Sequence, residues 1–176
     1  KIEDLGHGFW RVIARYGFDR GFDSYDDQTI RFATHGASYK EVTAPLLQKT
    51  AAEWLDRNGS RKFFLFLHYW DVHYDYAPGP PYDTMFDPHY EGRIDGVNFY
   101  FNDAVHADMA ERDLEHVLAL YDGEIRLVDD HIAKLRAKLD EIGVGGKTVI
   151  VVTADHGDEF FEHDRKGHHR TLYDEI

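Results

Sequence analysis

Thr148-Val149-Ile150-Val151-Val152-Thr153-Ala154-Asp155-His156-Gly157 is the stretch on which the fold turns. Six consecutive β-branched residues, Thr148 to Thr153, bounded by Gly145-Gly146 before and Gly157 after, read as a strand buried on both faces, the kind found inside a parallel sheet. In open α/β sheets ligands bind beyond the carboxyl ends of such strands, which is where Asp155 and His156 fall. A carboxylate beside an imidazole at that position is a candidate half of a metal site. The plainer alternative is a helix N-cap followed by a surface histidine.

Working outward, Leu114, Val117, Leu118, Tyr121, Ile125, Val128, Ile132, Leu135 and Leu139 recur every three or four residues. That spacing predicts one long amphipathic helix from about 111 to 141, with Asp108 and Glu111 as a capping pair and Gly143 as its stop. Upstream, Phe63 to Leu67 reads as a short buried strand. Strand, helix, strand in this order makes a right-handed crossover the default, so the two strands are expected to be parallel and His73 and Asp155 to face one crevice. A second helix is predicted between Ser38 and Asn58 from Val42, Leu46, Leu47, Ala51, Trp54 and Leu55, with Pro45 in its first turn and Asn58-Gly59 as its end. Residues 1 to 39 offer only the short apolar run Phe9 to Ile13 and read mostly as loop. Residues 77 to 107, entered through Pro78-Gly79-Pro80-Pro81, form a long unpatterned excursion, expected to be a lid or variable loop.

Composition narrows the function. With 43% hydrophobic residues, 12 Phe and 11 Tyr in 176 residues, the chain is a packed globule rather than a disordered one. A formal charge of −13 argues against nucleic acid as a partner, because affinity for a polyanion rests on lysine and arginine. A small anionic ester is compatible with that charge, since a metal and a few histidines set the local field. No stretch approaches a membrane span, and no cysteine gives a clue to redox compartment or localisation.

Three blocks together resemble one family. Thr153-Ala154-Asp155-His156-Gly157-Asp158 followed by Lys166-Gly167-His168 and Leu172-Tyr173-Asp174-Glu175 is similar to the signature of the type I sulfatases of the alkaline-phosphatase superfamily. Phe63 to Pro78, with His68, Asp71 and His73, resembles the family's F-F-L-F-L-H-x-x-D-x-H-x-P-Y segment, with Asp75 standing where the pattern has proline. Gly17-Phe18-Asp19-Arg20-Gly21-Phe22-Asp23 is a weaker match to G-F-D-x-G-F-D. The resemblance implies an α/β fold, a three-layer sandwich with a mostly parallel sheet flanked by helices. The family's C/S-x-P-x-R nucleophile motif is absent, since the chain has no cysteine and Ser24, Ser38 and Ser60 begin no such motif. Residues 1–176 are therefore read as the central part of a sulfatase-type catalytic domain, truncated at both ends, with the nucleophile upstream. The chain alone is expected to be inactive.

The resemblance also implies roles. Asp155 and His156 correspond to the family's C-terminal metal pair and would share one divalent ion; calcium, manganese and zinc are not distinguished, although imidazole suits manganese or zinc better than calcium. His73 matches the histidine that contacts the substrate ester and is a candidate general acid. His168 and Lys166 are rivals for a further contact with a substrate oxygen. His163 and His169 are expected on the solvated surface, His68 in the core or behind a ligand, and Asp129 in a structural role. The implied activity is cleavage of sulfate esters. Alternatives are phosphonate or phosphodiester hydrolysis, transfer of a phospho-alcohol headgroup, or a non-catalytic binding module. Neighbouring acids such as Asp158-Glu159 do not make a glycosidase, and no G-x-S-x-G elbow supports a serine hydrolase.

Overall fold

The computed structural model describes residues 2–4, 10–12, 17, 19–26, 42–168 and 171–176. Its elements, in order, are β1 (Ile2–Asp4), β2 (Trp10–Val12), α1 (Ala44–Asn58), α2 (Glu111–Glu141), a single 3₁₀ turn (Gly145–Lys147), β3 (Glu159–Phe160) and β4 (Lys166–Gly167). β1 pairs antiparallel with β2, and β3 antiparallel with β4. The first pair falls in the stretch read as mostly loop.

Both predicted helices form. α1 carries Pro45 at its start, where a missing N–H costs nothing, and ends at Gly59. Its first turn is capped from a distance: Asp71 accepts hydrogen bonds from the backbone N–H groups of Thr43 and Ala44 at 2.5 and 3.0 Å and from the Thr43 hydroxyl at 2.6 Å. α2 spans 31 residues, ~46 Å at 1.5 Å per residue. The expected cap does not form: the residue before α2 is Ala110, with no side-chain hydrogen bond at that end. Glu111 and Asp113 in the first turn instead favour the start through the helix dipole. Gly143, with φ +76°, follows the end as expected.

The buried face of α2 is rotated from the apolar stripe. Val117, Leu120, Leu127 and Leu139 are buried, but Leu118 and Ile125 are exposed, and His116, Glu124 and His131 lie inside. Each of these polar side chains has at least one partner, although one Glu124 oxygen has none. The His116 Nδ1 lies 2.8 Å from Asp87, Glu124 accepts from the Ala77 N–H at 3.0 Å, and the His131 Nδ1 lies 2.8 Å from the Leu127 carbonyl. The core itself gathers Tyr74, Tyr76, Ile94, Phe99, Val105, Val117, Leu120 and Phe160, so α2, the 74–76 stretch, the second half of the 77–107 excursion and β3 share one interior.

The parallel sheet expected from 63–67 and 148–153 is not formed among the described residues. Both segments lack strand pairing, and each leaves large apolar side chains in solvent, with Val149 88% and Phe64 73% exposed, while Phe63, Leu65 and Leu67 are half-buried. A parallel ladder needs a neighbouring strand to accept and donate its backbone hydrogen bonds, and no described residue takes that place beside either segment. His68, expected in the core, is exposed and touches Phe66 and Trp70 only ring to ring. No helix among the described residues is long and apolar enough to cross a membrane.

The excursion from 77 to 107 is fastened along its length. Tyr82 donates to Asp130 at 2.9 Å, Tyr90 donates to Asp113 at 2.6 Å, and Asp87 forms a bidentate pair with Arg112. Asp75 accepts from the N–H groups of Asn98 and Phe99, which turns its departure from the family pattern into an anchor. Ile94, Phe99 and Val105 supply core contacts from this segment.

Candidate active site

Three imidazoles converge where the 63–76 segment, the end of the 148–157 run and β4 meet. The His168 ring lies 3.9 Å from that of His156 and 5.0 Å from that of His73, centroid to centroid. His73 is sandwiched between Trp70, stacked at 4.7 Å, and Tyr74 at 4.3 Å. These contacts join residues 12 and 95 positions apart in the sequence, and through His168 they bring His73 to the end of the 148–157 run although the sheet does not form.

Each ring is oriented by its Nδ1. For His73 that nitrogen is 2.6 Å from the Tyr74 carbonyl, and for His156 it is 2.9 Å from the Gly157 carbonyl. A carbonyl only accepts, so both rings carry their proton on Nδ1 and present Nε2 as the working nitrogen. His168 differs, since its Nδ1 faces the Asp158 carboxylate at 2.6 Å. Asp158 is buried and also accepts from the Tyr76 hydroxyl at 2.7 Å. Burial holds the His73 imidazole below the usual histidine range, against the opposing pull of the Tyr74 carbonyl.

Asp155 is open to solvent, with its side chain 80% exposed, and its Oδ2 stands 3.9 Å from His156 Nε2. Two ligands on one ion with bonds of about 2.1 Å stand roughly 3–4 Å apart, so this pair fits a shared divalent cation. Among the described residues no group of three or more His, Cys, Asp or Glu is arranged to hold a metal. Asp155 and His156 would by themselves be only two ligands of a set that needs more.

Lys166 has a different setting. Its Nζ donates to the carbonyls of Val105 at 2.6 Å and Asn102 at 3.1 Å, beneath the Phe99 ring, and burial lowers its pKa. It ties the His168 hairpin to the 77–107 segment. His163 is on the surface as expected, stacked on Tyr173 at 3.7 Å with Glu175 3.5 Å away, whereas His169 lies outside the described residues. Asp129 is exposed on α2. Sequence reasoning missed Asp158 and Tyr76. The signal for Asp158 was its place directly after Asp-His-Gly, and nothing local marked Tyr76.

A histidine cluster backed by a buried carboxylate thus stands beside an open Asp-His pair, so groups able to exchange protons and groups able to ligate a cation lie at one place. The family model described as Sulfatase matches residues 3–176, and the chain belongs to the sulfatase family. Among curated proteins, the chain is 26% identical over 194 residues to the multifunctional alkaline phosphatase superfamily protein PehA of Trinickia caryophylli, covering 91% of this chain and 38% of that protein. The chain thus spans about two fifths of the length of this relative. No solved structure matches.

Proposed function

We propose that this chain carries the leaving-group side of a metal-dependent sulfatase-type hydrolase, the nucleophile coming from sequence upstream. The observation that supports this reading is the convergence of His73, His156 and His168 on one face, with Asp155 beside them. The fold proposed for the whole catalytic domain is the three-layer sandwich, with the 63–67 and 148–153 segments as strands of its sheet. The 77–107 segment is its cover over the substrate.

A small sulfate ester is the proposed substrate. Asp155 and His156 would hold one divalent ion, which supplies positive charge for the non-bridging oxygens of the sulfuryl group. The upstream nucleophile forms a bond to sulfur while the bond from sulfur to the leaving oxygen breaks, its electron pair staying on that oxygen. His168, protonated on both nitrogens, gives its Nε2 proton to the oxygen and is left neutral, with Nδ1–H still on Asp158. His73, kept neutral by burial with its proton on Nδ1, presents Nε2 as an acceptor and would orient the substrate through a hydroxyl or a water that donates to it, not through the sulfate oxygens. Lys166 holds the hairpin in place from behind. A phosphonate or phosphodiester substrate is the second reading, and the relative's name, multifunctional and of the alkaline phosphatase superfamily, favours keeping it. The same proton transfer serves either.

The test is turnover by the full-length protein of 4-nitrophenyl sulfate and bis(4-nitrophenyl) phosphate, with metal content measured alongside. His168→Gln is expected to lower kcat by about 10²-fold for the preferred probe while leaving bound metal near normal. Unchanged kcat in both His168→Gln and His73→Gln would remove the proposal.

A further inference from the structure

The proposed reaction depends on which nitrogen of His168 meets the leaving oxygen, and the ring's rear face is built to decide this. The Asp158 side chain is 4% exposed and the His168 side chain 10%. Each Asp158 oxygen has one partner: Oδ1 lies 2.6 Å from His168 Nδ1, and Oδ2 accepts the Tyr76 hydroxyl at 2.7 Å. Tyr76 is fully buried, packed against Phe99, Tyr121 and Phe160, so the hydroxyl is a fixed donor. It reaches Asp158 from 82 residues away. The same contact therefore sets the carboxylate's orientation and joins the His73 segment to the His168 hairpin.

We propose that Asp158 is a positioning residue for His168: clamped by Tyr76, its carboxylate keeps a proton on Nδ1 and so commits Nε2 to the leaving oxygen. This rests on the reading of His168 as the proton donor. An imidazole can turn over about its Cβ–Cγ bond or exchange its tautomer, and either change would present the wrong atom. Packing against His156 and His73 restrains the plane of the ring, but it does not distinguish one nitrogen from the other. Only a directed acceptor does that, and a buried carboxylate held by a second hydrogen bond is a strong one. A purely structural hydrogen bond would instead contribute to stability without affecting turnover.

The experiment is a double-mutant cycle in the full-length protein, using whichever of 4-nitrophenyl sulfate and bis(4-nitrophenyl) phosphate it turns over. Asp158→Ala is expected to lower kcat by about 10²-fold with KM changed by no more than about threefold. Asp158→Asn, which retains an acceptor for Nδ1–H, is expected to restore part of that loss, and Tyr76→Phe to cost less than Asp158→Ala. In the His168→Gln background, Asp158→Ala should add less than about twofold, since both changes remove the same function. Nitrogen-15 spectra of His168 are expected to show Nδ1 protonated in the wild type and a tautomer mixture in Asp158→Ala. Should Asp158→Ala fail to fold, the Asn and Phe variants carry the same comparison. A full additional loss in the His168→Gln background, or unchanged kcat in Asp158→Ala beside a damaged His168→Gln, overturns this inference alone. Unchanged kcat in His168→Gln overturns the proton-donor reading and this inference with it.

Discussion

At the scale of single residues, the site is defined by backbone constraints as much as by side-chain chemistry. Gly167 sits immediately before His168 with φ +75°, a conformation that costs an L-residue about 1–2 kcal/mol, and a Cβ there would press on the Tyr100 ring at 3.3 Å and the Tyr74 ring at 3.5 Å. Gly167→Ala is therefore expected to destabilise the protein by about 1–2 kcal/mol and to lower kcat by shifting His168. Urea unfolding beside turnover checks this, and an unchanged midpoint would show that the turn adapts. Among the described residues the Asp155 carboxylate has no hydrogen-bonding partner, the His156 ring standing 3.9 Å away. Asp155→Asn removes the charge that would balance a cation while leaving the shape, so bound divalent metal in the full-length protein should fall well below stoichiometry. Retention of a full equivalent would exclude Asp155 as a ligand.

At the scale of elements, α2 has to accommodate a buried acid. Glu124 is 3% exposed; one oxygen accepts the Ala77 N–H while the other has no partner, and burial, aided by repulsion from Asp71, pushes the carboxyl up to about 9. The folded state then keeps a proton that the unfolded chain, near the ordinary 4.5, has released. The associated stability is fully present below pH ~4.5 and is lost as pH rises toward about 9. Glu124→Gln keeps the acceptor and removes this dependence. It should be more stable than the wild type at pH 8 by on the order of 2–4 kcal/mol, with the gap closing near pH 5, as read by thermal melts across pH. A constant gap would mean Glu124 does not titrate in this window. The same element shows what the sequence made legible. The 3.6-residue period and the two glycine stops give both helices and their C-terminal ends, because these are local properties of the chain, whereas α1 begins at Ala44, with Val42 and Thr43 outside it. Asp71 capping α1 from 28 residues away, Glu124 inside α2 and Tyr76 holding Asp158 are long-range pairings between residues that are ordinary in their own neighbourhoods. The paired strand at 148–153 was not found because β-branched composition specifies a strand and leaves its neighbour unnamed.

For the molecule as a whole, two apolar segments remain uncovered. Val149, Val151 and Val152 on one, and Phe64 and Phe66 on the other, are each at least 67% exposed. Surfaces of this kind seek a partner. In solution the 176-residue chain should therefore bind a hydrophobic dye and self-associate in sedimentation, and Val149→Thr with Val151→Thr should weaken both; a dye-silent monomer would contradict the exposed arrangement. The 77–107 segment presents the opposite case. It is fixed at Tyr82, Asp87, Tyr90 and Asn98–Phe99, and by Lys166 through the carbonyls of Asn102 and Val105. Between these fasteners, short stretches such as 84–86 and 91–93 are exposed to solvent. A laboratory lineage selected for new substrates would find insertions there inexpensive, because length can be added between rivets without displacing the His168 imidazole that the last rivet secures.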